Sequence, residues 1–257
     1  EGNLAYALGA ERRPEELAAI AQGVYEHFGG GLLEFVSLSA RPLETIRRAV
    51  ELRHVERLAA AVAAGRGAVL LSAHLGAFEV GSFLGALVGV PYAVVMKRLA
   101  NPYIHRAVVR LRARLGATVL TVTRAGRERT AGREVLALLR RGGVVGVLND
   151  QDVGGDGVVV DFFGRLTATG VGPVRFAARA GAALLPTLVY REGERHVIEF
   201  LPEIPVGGTD EASVAAAVFE YSRRLEAAVR ERPEQYFWFH KRWKSQPALR
   251  ERLYATR

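Results

Sequence analysis

A histidine and a glutamate stand five positions apart in LLSAHLGAFEVG, Leu70 to Gly81, a segment with no other charged side chain. His74 follows a short apolar run typical of a buried strand, and Glu79 falls where the first turns of the next helix are expected. A carboxylate there can turn back and accept a hydrogen bond from one ring nitrogen of the histidine, which leaves the other nitrogen as a base. The pair predicts an oriented histidine that deprotonates a substrate hydroxyl, and the alkoxide would then attack an acyl group.

Other catalytic groups are scarce in this sequence. It contains no cysteine, which excludes thiol nucleophiles, cysteine-ligated metals and disulfide scaffolds. It contains no GxSxG nucleophile elbow, although Ser72, two residues before His74, stays open as a nucleophile. It contains no HExxH motif, and the other histidines show no ligand spacing with His74, so we expect neither a metal nor another cofactor. On these residues alone, the alternative for His74 is a hydrogen-bonded structural role.

Short β-branched runs alternate with helical stretches from Gly67 onward, which predicts an α/β fold with a mostly parallel central sheet flanked by helices. His74 then lies at the carboxyl end of the first strand, where open α/β sheets bind ligands. Asp150 would emerge beside it at the end of another strand, with a turn or helix cap as its alternative role. The expected strands are AVLLSA, PYAVVM, ATVLTV, GGVVGVLND, AALLPTLVY and HVIEFL, the last two forming a hairpin, and the expected helices lie around 102–115, 130–141, 172–180 and 211–231.

The first quarter of the chain has a helical pattern instead. Residues 14–39 repeat apolar side chains at helical spacing, but three consecutive glycines at 29–31 predict a break into two helices. Residues 42–64 are rich in Ala, Glu and Arg and predict a third helix. Because no repeat or linker divides the chain, we expect a single domain over 1–257, with a helical N-terminal cap at 1–66 and an α/β catalytic core at 67–257.

One apolar segment, 77–96, is long enough to cross a bilayer. Glu79 near its start and Pro91 within it favour a different interpretation. We predict a helix of about three turns that lies close on the sheet through glycines at 81, 85 and 89, followed by a buried strand.

Basic side chains outnumber acidic ones, 35 to 27, which gives a formal net charge of +8 and favours anionic partners. Arg106, Arg110 and Arg114 share one face of the expected helix at 102–115, which predicts a face turned toward solvent or lipid headgroups. Arg112 lies far round the helix from them and is expected to turn inward toward a phosphate or carbonyl.

Two segments further along leave alternatives open. Thr169 precedes a helix with Pro173 in its first turn; it would cap that helix, and a helix start is also an anion site. The tail PEQYFWFHKRWK interleaves aromatic and basic side chains. This pattern suits single-stranded nucleic acid, a membrane interface, or a strand with one side in the core.

Five blocks of this sequence follow the order found in the HxxxxD/E acyltransferases. More specifically, the sequence resembles the bacterial lipid A biosynthesis acyltransferase family, to which phosphatidylinositol mannoside acyltransferases are related. The resemblance runs from Asn3 to about Lys244, with Lys97 where many members have arginine. The blocks are SAHLGAFEVG, KRLANPYIHRAVVRLRARLG, GGVVGVLNDQDVG, VDFFGRLTATGVGPVRFAARAGAALLP and RPEQYFWFHKRWK.

The resemblance implies a glycerolipid acyltransferase-like fold and an O-acyltransferase that moves a fatty acyl chain to a hydroxyl of a glycolipid. It implies His74 and Glu79 as the catalytic pair, with His74 as general base and Glu79 as its orienter. Arg112 and Asp150 match a basic and an acidic position that members need for activity, and we assign them to the headgroup of the acceptor or donor. We add Thr169 as a third substrate-binding residue.

The expected donor is a thioester of acyl carrier protein or coenzyme A, and the expected acceptor surface is an anionic glycolipid membrane. Backbone N–H groups near Leu75 and Gly76 would stabilise the oxyanion. We expect a monomer at the cytoplasmic face of the inner membrane. It would be either peripheral or held by the family's usual N-terminal anchor, which we do not expect within these 257 residues. No nucleic acid partner is expected. The rivals are a water-using esterase or thioesterase and a basic nucleic-acid-binding domain, the latter without a recognisable recognition motif.

Overall fold

The computed structural model describes residues 2–122, 128–154 and 157–245 as an α/β arrangement. Residues 246–257, which the single-domain prediction includes, lie outside this range. The strands are β1 (Val50–Arg53), β2 (Ala68–Ser72), β3 (Tyr92–Lys97), β4 (Thr118–Val122), β5 (Val144–Leu148), β6 (Gly157–Asp161), β7 (Leu166–Gly170), β8 (Ala183–Glu192) and β9 (Arg195–Phe200). The helices are α1 (Gly2–Leu8), α2 (Pro14–Ser39), α3 (Leu43–Ala49), α4 (Val55–Ala63), α5 (Leu84–Val88), α6 (Pro102–Ala113), α7 (Glu128–Arg140), α8 (Gly172–Ala180) and α9 (Glu211–Glu231), and 3-10 turns occupy Phe78–Phe83 and Pro233–Gln235.

A seven-stranded sheet forms the centre, in the order β1-β9-β8-β2-β5-β3-β4. Its neighbouring strands run parallel except for β8 and β9, which form an antiparallel hairpin. The predictions of a mostly parallel central sheet and of one hairpin within it are confirmed. The sequence does not predict the separate antiparallel ribbon of β6 and β7.

The sheet separates two apolar cores, because β2 is buried on both of its faces. Val69 and Leu71 pack on one face with side chains of α7, α8 and α9, whereas Leu70 packs on the other face with Phe83 and Leu111. A parallel strand covered by helices on both faces needs apolar residues at every position. This is why AVLLS shows no alternation, and why its end is a rigid base for the residues that follow.

Helix α2 crosses the edge of the sheet at which β2 and its parallel neighbours have their carboxyl ends. Its first half packs into one core through Val24 and Phe28, and its last turns pack into the other through Phe35. It also contacts the turns Phe78–Phe83 and Pro233–Gln235. The helix therefore lies over the segments that follow β2 and α9.

The predicted break in α2 is wrong, since the helix continues through the three glycines at 29–31. A glycine inside a helix costs about 1 kcal/mol relative to alanine. Here Phe28 on one side and Phe35 on the other anchor the helix to the cores. Three glycines together cost about 3 kcal/mol. Full burial of a large apolar side chain such as Phe35 contributes about 1.5–3 kcal/mol, and the partly buried Phe28 adds to this, so the packing is of the size needed to offset the cost.

The predicted helix at 42–64 is also wrong, because strand β1 lies between α3 and α4. Val50 pairs with His196 of β9, so the segment adds an edge strand to the sheet. His54 has a φ of 57°, and this left-handed residue ends the strand before α4 begins. The region 1–66 is thus not wholly helical.

The long apolar segment 77–96 is divided into a turn, a short helix and a strand of the central sheet. The predicted three-turn helix is replaced by the turn Phe78–Phe83 and the short α5, whereas the buried strand after Pro91 is confirmed as β3. A Cβ at Gly85 would lie 2.6 Å from the Cβ of Tyr92, so this glycine allows the expected close packing. Within the described ranges, no helix combines the length and the apolar character needed to cross a membrane.

Candidate active site

The register between two neighbouring strands brings His74 and Asp150 together. Ser72 of β2 is paired with Leu148 of β5, and the amide of Asn149 donates to the Ser72 carbonyl over 2.8 Å. His74 and Asp150 each stand two residues beyond that last pair, at the same level of the same edge. The prediction that Asp150 emerges beside the end of the first strand is confirmed.

The two side chains are directly hydrogen-bonded. His74 Nδ1 lies 2.7 Å from Asp150 Oδ1, and the His74 backbone N–H donates to Asp150 Oδ2 over 3.1 Å. Because Nδ1 faces a carboxylate oxygen, it carries the proton of the neutral ring and leaves Nε2 as the acceptor. The carboxylate that orients the ring in this structure is therefore Asp150. The expectation that Glu79 would accept this hydrogen bond is wrong.

Glu79 binds Arg112 of α6 instead. Arg112 Nε donates to Glu79 Oε2 over 2.9 Å, and Arg112 Nη2 donates to Glu79 Oε1 over 2.8 Å. The prediction that Arg112 turns inward is confirmed, since only 9% of the residue is exposed. Its partner here is a carboxylate rather than a phosphate or carbonyl. Bidentate pairs of this kind have a fixed geometry, so this one ties α6 to the turn Phe78–Phe83.

The surrounding charges strengthen His74 as a base. Burial disfavours its imidazolium, but the charge of Asp150 and the hydrogen bond to it outweigh burial and raise the pKa of His74 above the ordinary value of 6.5. Glu79 and Arg112 act in opposite directions on the same pKa. Burial raises the pKa of Asp150, but the interactions with His74 outweigh it and hold that pKa below its usual value. The result is an ionised carboxylate bound to an imidazole with increased proton affinity, which suits general-base chemistry.

Aromatic rings line the space around His74. Its ring contacts Phe78 with centroids 4.8 Å apart and Phe237 with centroids 5.6 Å apart. Phe28 of α2 contacts both of these phenylalanines, and Phe239, which is 44% exposed, extends the cluster to the surface. The His74 side chain itself is 17% exposed. Apolar surface therefore leads from the outside of the protein to a reachable imidazole.

The segment after His74 is clamped between β8 and the tail. Gly76 has a φ of 61°, and a Cβ there would lie 2.4 Å from the carbonyl oxygen of Val189, so only glycine fits. The Gly76 amide donates to the Gln235 carbonyl over 2.8 Å, and the Phe237 amide donates to the His74 carbonyl over 3.0 Å. Because the Gly76 N–H is already bound, it is not free to hold an oxyanion as expected.

The aromatic and basic tail belongs largely to the interior. Tyr236, Trp238, Arg242 and Trp243 are buried. The segment forms turns rather than a strand. Of the three alternatives for this tail, placement of aromatic side chains in the core is confirmed, although not in a strand. The buried rings are not available to stack on nucleic acid bases.

Thr169 lies on β7 and is wholly buried. Its hydroxyl accepts a hydrogen bond from the guanidinium of Arg242. Helix α8 begins after Val171 and has no side-chain cap, so the capping prediction is wrong. Thr169 also forms an antiparallel bridge with Asp152, which places it beside the segment that carries Asp150.

Two other catalytic devices are not assembled in the described part of the chain. The buried hydroxyl of Ser72 has no hydrogen-bond partner among residues 2–122, 128–154 and 157–245, so His74 does not activate it here. Over the same ranges, no three His, Asp or Glu side chains gather into a group that could hold a metal ion.

Removing one member of the Glu79–Arg112 pair should destabilise the fold more than the loss of a surface pair would. The two side chains are 19% and 11% exposed, and an unpaired buried charge costs about 3–5 kcal/mol. Partial exposure reduces this, so we expect about 1–3 kcal/mol for Glu79→Gln or Arg112→Gln. Urea unfolding of both single variants and the double variant should give a coupling free energy of about 1–2 kcal/mol.

The exposed pair of Glu44 and Arg47 provides the matched control for this cycle. These side chains are 65% and 52% exposed, so their coupling free energy should be near zero. If the effects of Glu79→Gln and Arg112→Gln simply add, the two side chains are not coupled in solution.

The fold and the site define an α/β protein that holds an oriented histidine at the carboxyl edge of a parallel sheet, with apolar surface leading to it. A comparison with known protein families identifies the family within this class. The chain belongs to the bacterial lipid A biosynthesis acyltransferase family, whose model matches residues 1–245. The resemblance carried by the five sequence blocks is thereby confirmed.

Individual relatives are acyltransferases of two names. The chain is 30% identical over 190 residues to the phosphatidylinositol mannoside acyltransferase of Mycolicibacterium smegmatis, covering 74% of this chain and 60% of the relative. It is 31% identical over 190 residues to the protein of that name from Mycobacterium tuberculosis, covering 74% and 58%. It is 27% identical over 227 residues to the lipid A biosynthesis lauroyltransferase of Escherichia coli, covering 87% and 71%. The chain thus spans about three fifths of the length of the mycobacterial relatives it matches.

Proposed function

We propose that the protein is an O-acyltransferase that moves a fatty acyl chain from an acyl thioester to a hydroxyl of a glycolipid. The His74–Asp150 pair carries this proposal, because the imidazole is partly exposed, its Nδ1 is bound and its Nε2 is left to accept a proton. Membership of an acyltransferase family and the names of the relatives support a glycolipid acceptor. A glycerolipid acyltransferase-like fold, with the helices before β2 as its cap, belongs to the same proposal.

In the proposed reaction, Nε2 of His74 takes the proton of the acceptor hydroxyl while its oxygen attacks the carbonyl carbon of the thioester. The carbon–sulfur bond then breaks, the ester forms, and the imidazolium returns the proton to the leaving thiolate. Asp150 keeps the ring in the correct tautomer and stabilises the imidazolium between the two steps, as the orienting carboxylate does in a serine-protease triad. The substrate hydroxyl itself is the nucleophile.

Two features beside His74 suit the two kinds of substrate group. The rings of Phe28, Phe78 and Phe237 offer apolar surface to the acyl chain. Arg112 is proposed to hold a phosphate or carbonyl oxygen, with Glu79 fixing its guanidinium. Because Asp150 uses both oxygens on His74, we propose it as part of the base rather than as a headgroup ligand. The net charge of +8 suits the phosphates of coenzyme A and an acidic acyl carrier protein alike.

Incubation of the purified protein with membrane lipid extract and an acyl donor tests this function. Parallel reactions with acyl-coenzyme A and acyl-acyl carrier protein, followed by mass spectrometry, should show one lipid class gaining the mass of one acyl chain. His74→Gln serves as the control because it keeps a polar side chain of similar size. Release of free fatty acid without an acylated lipid would replace the proposal by a thioesterase. Failure to consume either thioester would reject it.

We further propose that the protein works at the cytoplasmic face of the inner membrane, where helix α6 meets the lipid. Arg106, Arg110 and Arg114 are exposed along this helix, as the sequence predicts. Tyr103 and Ile104 near its start are 74% and 55% exposed. Basic and large apolar side chains together on one exposed helix are typical of segments that bind anionic membrane interfaces.

Replacing Arg106, Arg110 and Arg114 by glutamine should weaken binding to vesicles that contain phosphatidylglycerol. Each basic side chain near an anionic surface contributes about 1 kcal/mol, so the triple variant should lose on the order of a hundredfold in affinity at low salt. Exposed charges are screened beyond roughly 8 Å at physiological ionic strength, so wild-type binding should also fall as salt rises. Co-sedimentation with vesicles measures both effects.

The matched control replaces Arg133, Arg140 and Arg141, three exposed arginines on or just after α7. Helix α7 packs on the opposite face of the sheet from α6, and this variant loses the same charge. Equal losses in the two triple variants would show that net charge, and not the α6 face, binds the membrane. Binding that does not respond to salt would point to apolar insertion instead.

A further inference from the structure

Arg242 is a buried cation, and none of the residues that the structure describes forms an ion pair with it. The residue is 2% exposed, its Nη1 donates to the Ala168 carbonyl over 3.1 Å, and its Nη2 donates to the Thr169 hydroxyl. Its Nε is buried with no hydrogen-bond partner, and no carboxylate oxygen of the described residues lies within 4.0 Å of the guanidinium. A charge taken out of water costs several kcal/mol unless another charge compensates it. The ring of Phe162, whose centroid lies 5.3 Å from the guanidinium carbon, offers a cation–π contact but no negative charge. The position of Arg242 therefore calls for an anion in its surroundings.

Asp150 is a buried anion on the segment next to the one that holds Arg242. It is 3% exposed. Thr169, which binds the guanidinium, forms a bridge with Asp152, two residues beyond Asp150. Burial raises the pKa of Asp150, whereas His74 and then Arg242 lower it, and the net effect is a pKa below the ordinary value. The guanidinium therefore acts on the carboxylate through its charge, and Thr169 links the two segments that carry them.

Asp152, two residues beyond Asp150, is a second buried carboxylate: it is 2% exposed and accepts hydrogen bonds from the amides of Gly154 and Ser245 and from the Ser245 hydroxyl. Besides it and Arg242, three kinds of group face the pair, and none of them carries an unbalanced charge. The first is an ion pair whose two charges act in opposite directions on the pKa of His74. Burial raises the pKa of two phenols well above the ordinary value, so they are neutral. Burial also lowers the pKa of a second imidazole to about 4, so it is neutral as well. These groups are Glu79 with Arg112, the phenols of Tyr221 and Tyr236, and the imidazole of His240.

We propose that Arg242 is a positioning residue that acts through Asp150 to keep the imidazole of His74 unprotonated and ready to accept a proton. This inference rests on the proposed role of His74 as the base. While the imidazole is neutral, the buried pair carries one negative charge, which the guanidinium balances. Once His74 is protonated, the pair is neutral and the guanidinium stands alone in a low dielectric. Arg242 therefore offsets part of the proton affinity that Asp150 gives to His74, and Thr169 anchors it.

An NMR titration of the His74 imidazole tests this coupling without any substrate. Arg242→Gln removes the charge and should raise the pKa of His74 by roughly half a unit or more. Arg242→Lys keeps the charge and should stay closer to wild type. Arg66→Gln is the control, because Arg66 precedes β2 at the opposite edge of the sheet and pairs with Glu203; it should cause no shift. The chain has six histidines, and the spectrum of His74→Gln assigns the signal.

A folded Arg242→Gln protein whose His74 pKa is unchanged or lower would overturn the proposal, as would equal upward shifts in the Gln and Lys variants. If neither Arg242 variant folds, Thr169→Val decides, because it removes only the hydroxyl that holds the guanidinium. It should raise the same pKa by a smaller amount, and an unchanged pKa would count against the coupling.

A kinetic measurement separates this proposal from the proposed function. Activity is lost as pH falls through the pKa of the base, so the acidic limb of kcat/KM should move to higher pH in Arg242→Gln. If the titration shifts as expected but wild-type protein transfers no acyl group, the proposed function fails while the coupling stands. If acyl transfer is found but Arg242→Gln changes neither the pKa of His74 nor the acidic limb of kcat/KM, the proposed coupling is rejected and the proposed function stands.

Discussion

Replacing His74 by alanine is expected to lower acyl transfer by about a hundred- to ten-thousand-fold, because the acceptor hydroxyl loses the base that takes its proton. The fold should survive, since Asp150 still accepts the hydrogen bond from the backbone N–H of residue 74. The apolar cores on both faces of the sheet are also untouched. Initial rates of transfer to a defined acceptor measure the loss, and circular dichroism checks the fold.

His54→Asn is the matched control for this variant. His54 is about half exposed, it contacts the carboxylate of Glu56, and its φ of 57° is a conformation that asparagine tolerates. Its replacement should leave the rate of transfer unchanged. A folded His74→Ala protein with near-native turnover would mean that His74 is a structural residue at the end of a strand.

The strands that position the site can be predicted from the sequence because each is a short apolar run bounded by turn residues. The runs around Leu70, Val94 and Val145 all become strands of the central sheet. The predicted secondary structure is wrong where tertiary contacts outweigh the local preference of the residues for helix, strand or turn. The Glu- and Arg-containing segment after Val50 becomes a strand only because β9 offers it an edge. The glycines at 29–31 stay helical because the flanking phenylalanines are anchored in two cores.

The sequence places His74 and Asp150 at neighbouring strand ends, but it does not show that their side chains are hydrogen-bonded to each other. Glu79 is close to His74 along the chain, yet the turn Phe78–Phe83 brings its carboxylate to Arg112 of α6. Asp150 is 76 residues away from His74 and meets it only because β2 and β5 are neighbours in register. Apolar runs identify strands, but they do not say which strands pair. His74 and Asp150 each lie two residues beyond the end of a strand. This equal spacing shows that they meet only once β2 and β5 are known to be neighbours in the sheet.

The role of the tail, residues 233–244, could not be predicted from its local sequence pattern either. Its alternation of aromatic and basic residues suits surfaces as well as cores, and Arg242 reads as one more basic side chain of a charged segment. The structure buries this guanidinium beside β7, with Thr169 as its anchor. A buried cation is costly unless compensated, so only the packed structure connects Arg242 with Asp150.

Replacing Asp150 by asparagine is expected to lower acyl transfer by up to about ten-thousand-fold, the loss found when the orienting aspartate of a serine-protease triad becomes asparagine. The amide fills the same space and can accept the hydrogen bond from the His74 backbone N–H. It carries no charge to stabilise the imidazolium, and its NH2 group can donate to Nδ1, which places the ring proton on Nε2. His74 would then hold a proton on the nitrogen that must accept one.

The same replacement should move the acidic limb of the pH–rate profile to lower pH. In the wild type, burial lowers the pKa of His74, but the charge of Asp150 and its hydrogen bond outweigh burial and raise it. With asparagine the effect of burial remains, so the pKa falls. Because activity is lost as pH drops through the pKa of the base, the limb follows that pKa downward while the plateau rate collapses.

Glu79→Gln, measured beside Asp150→Asn, decides which carboxylate orients the base. In the structure Glu79 binds Arg112 and does not contact the imidazole, so its replacement should shift the acidic limb much less than Asp150→Asn does. Both variants keep the size of the side chain and remove one negative charge, which makes the comparison a matched one. If Glu79→Gln shifts the limb further and costs more of the plateau rate, Glu79 orients His74 during turnover. The contact between His74 and Asp150 would then be structural.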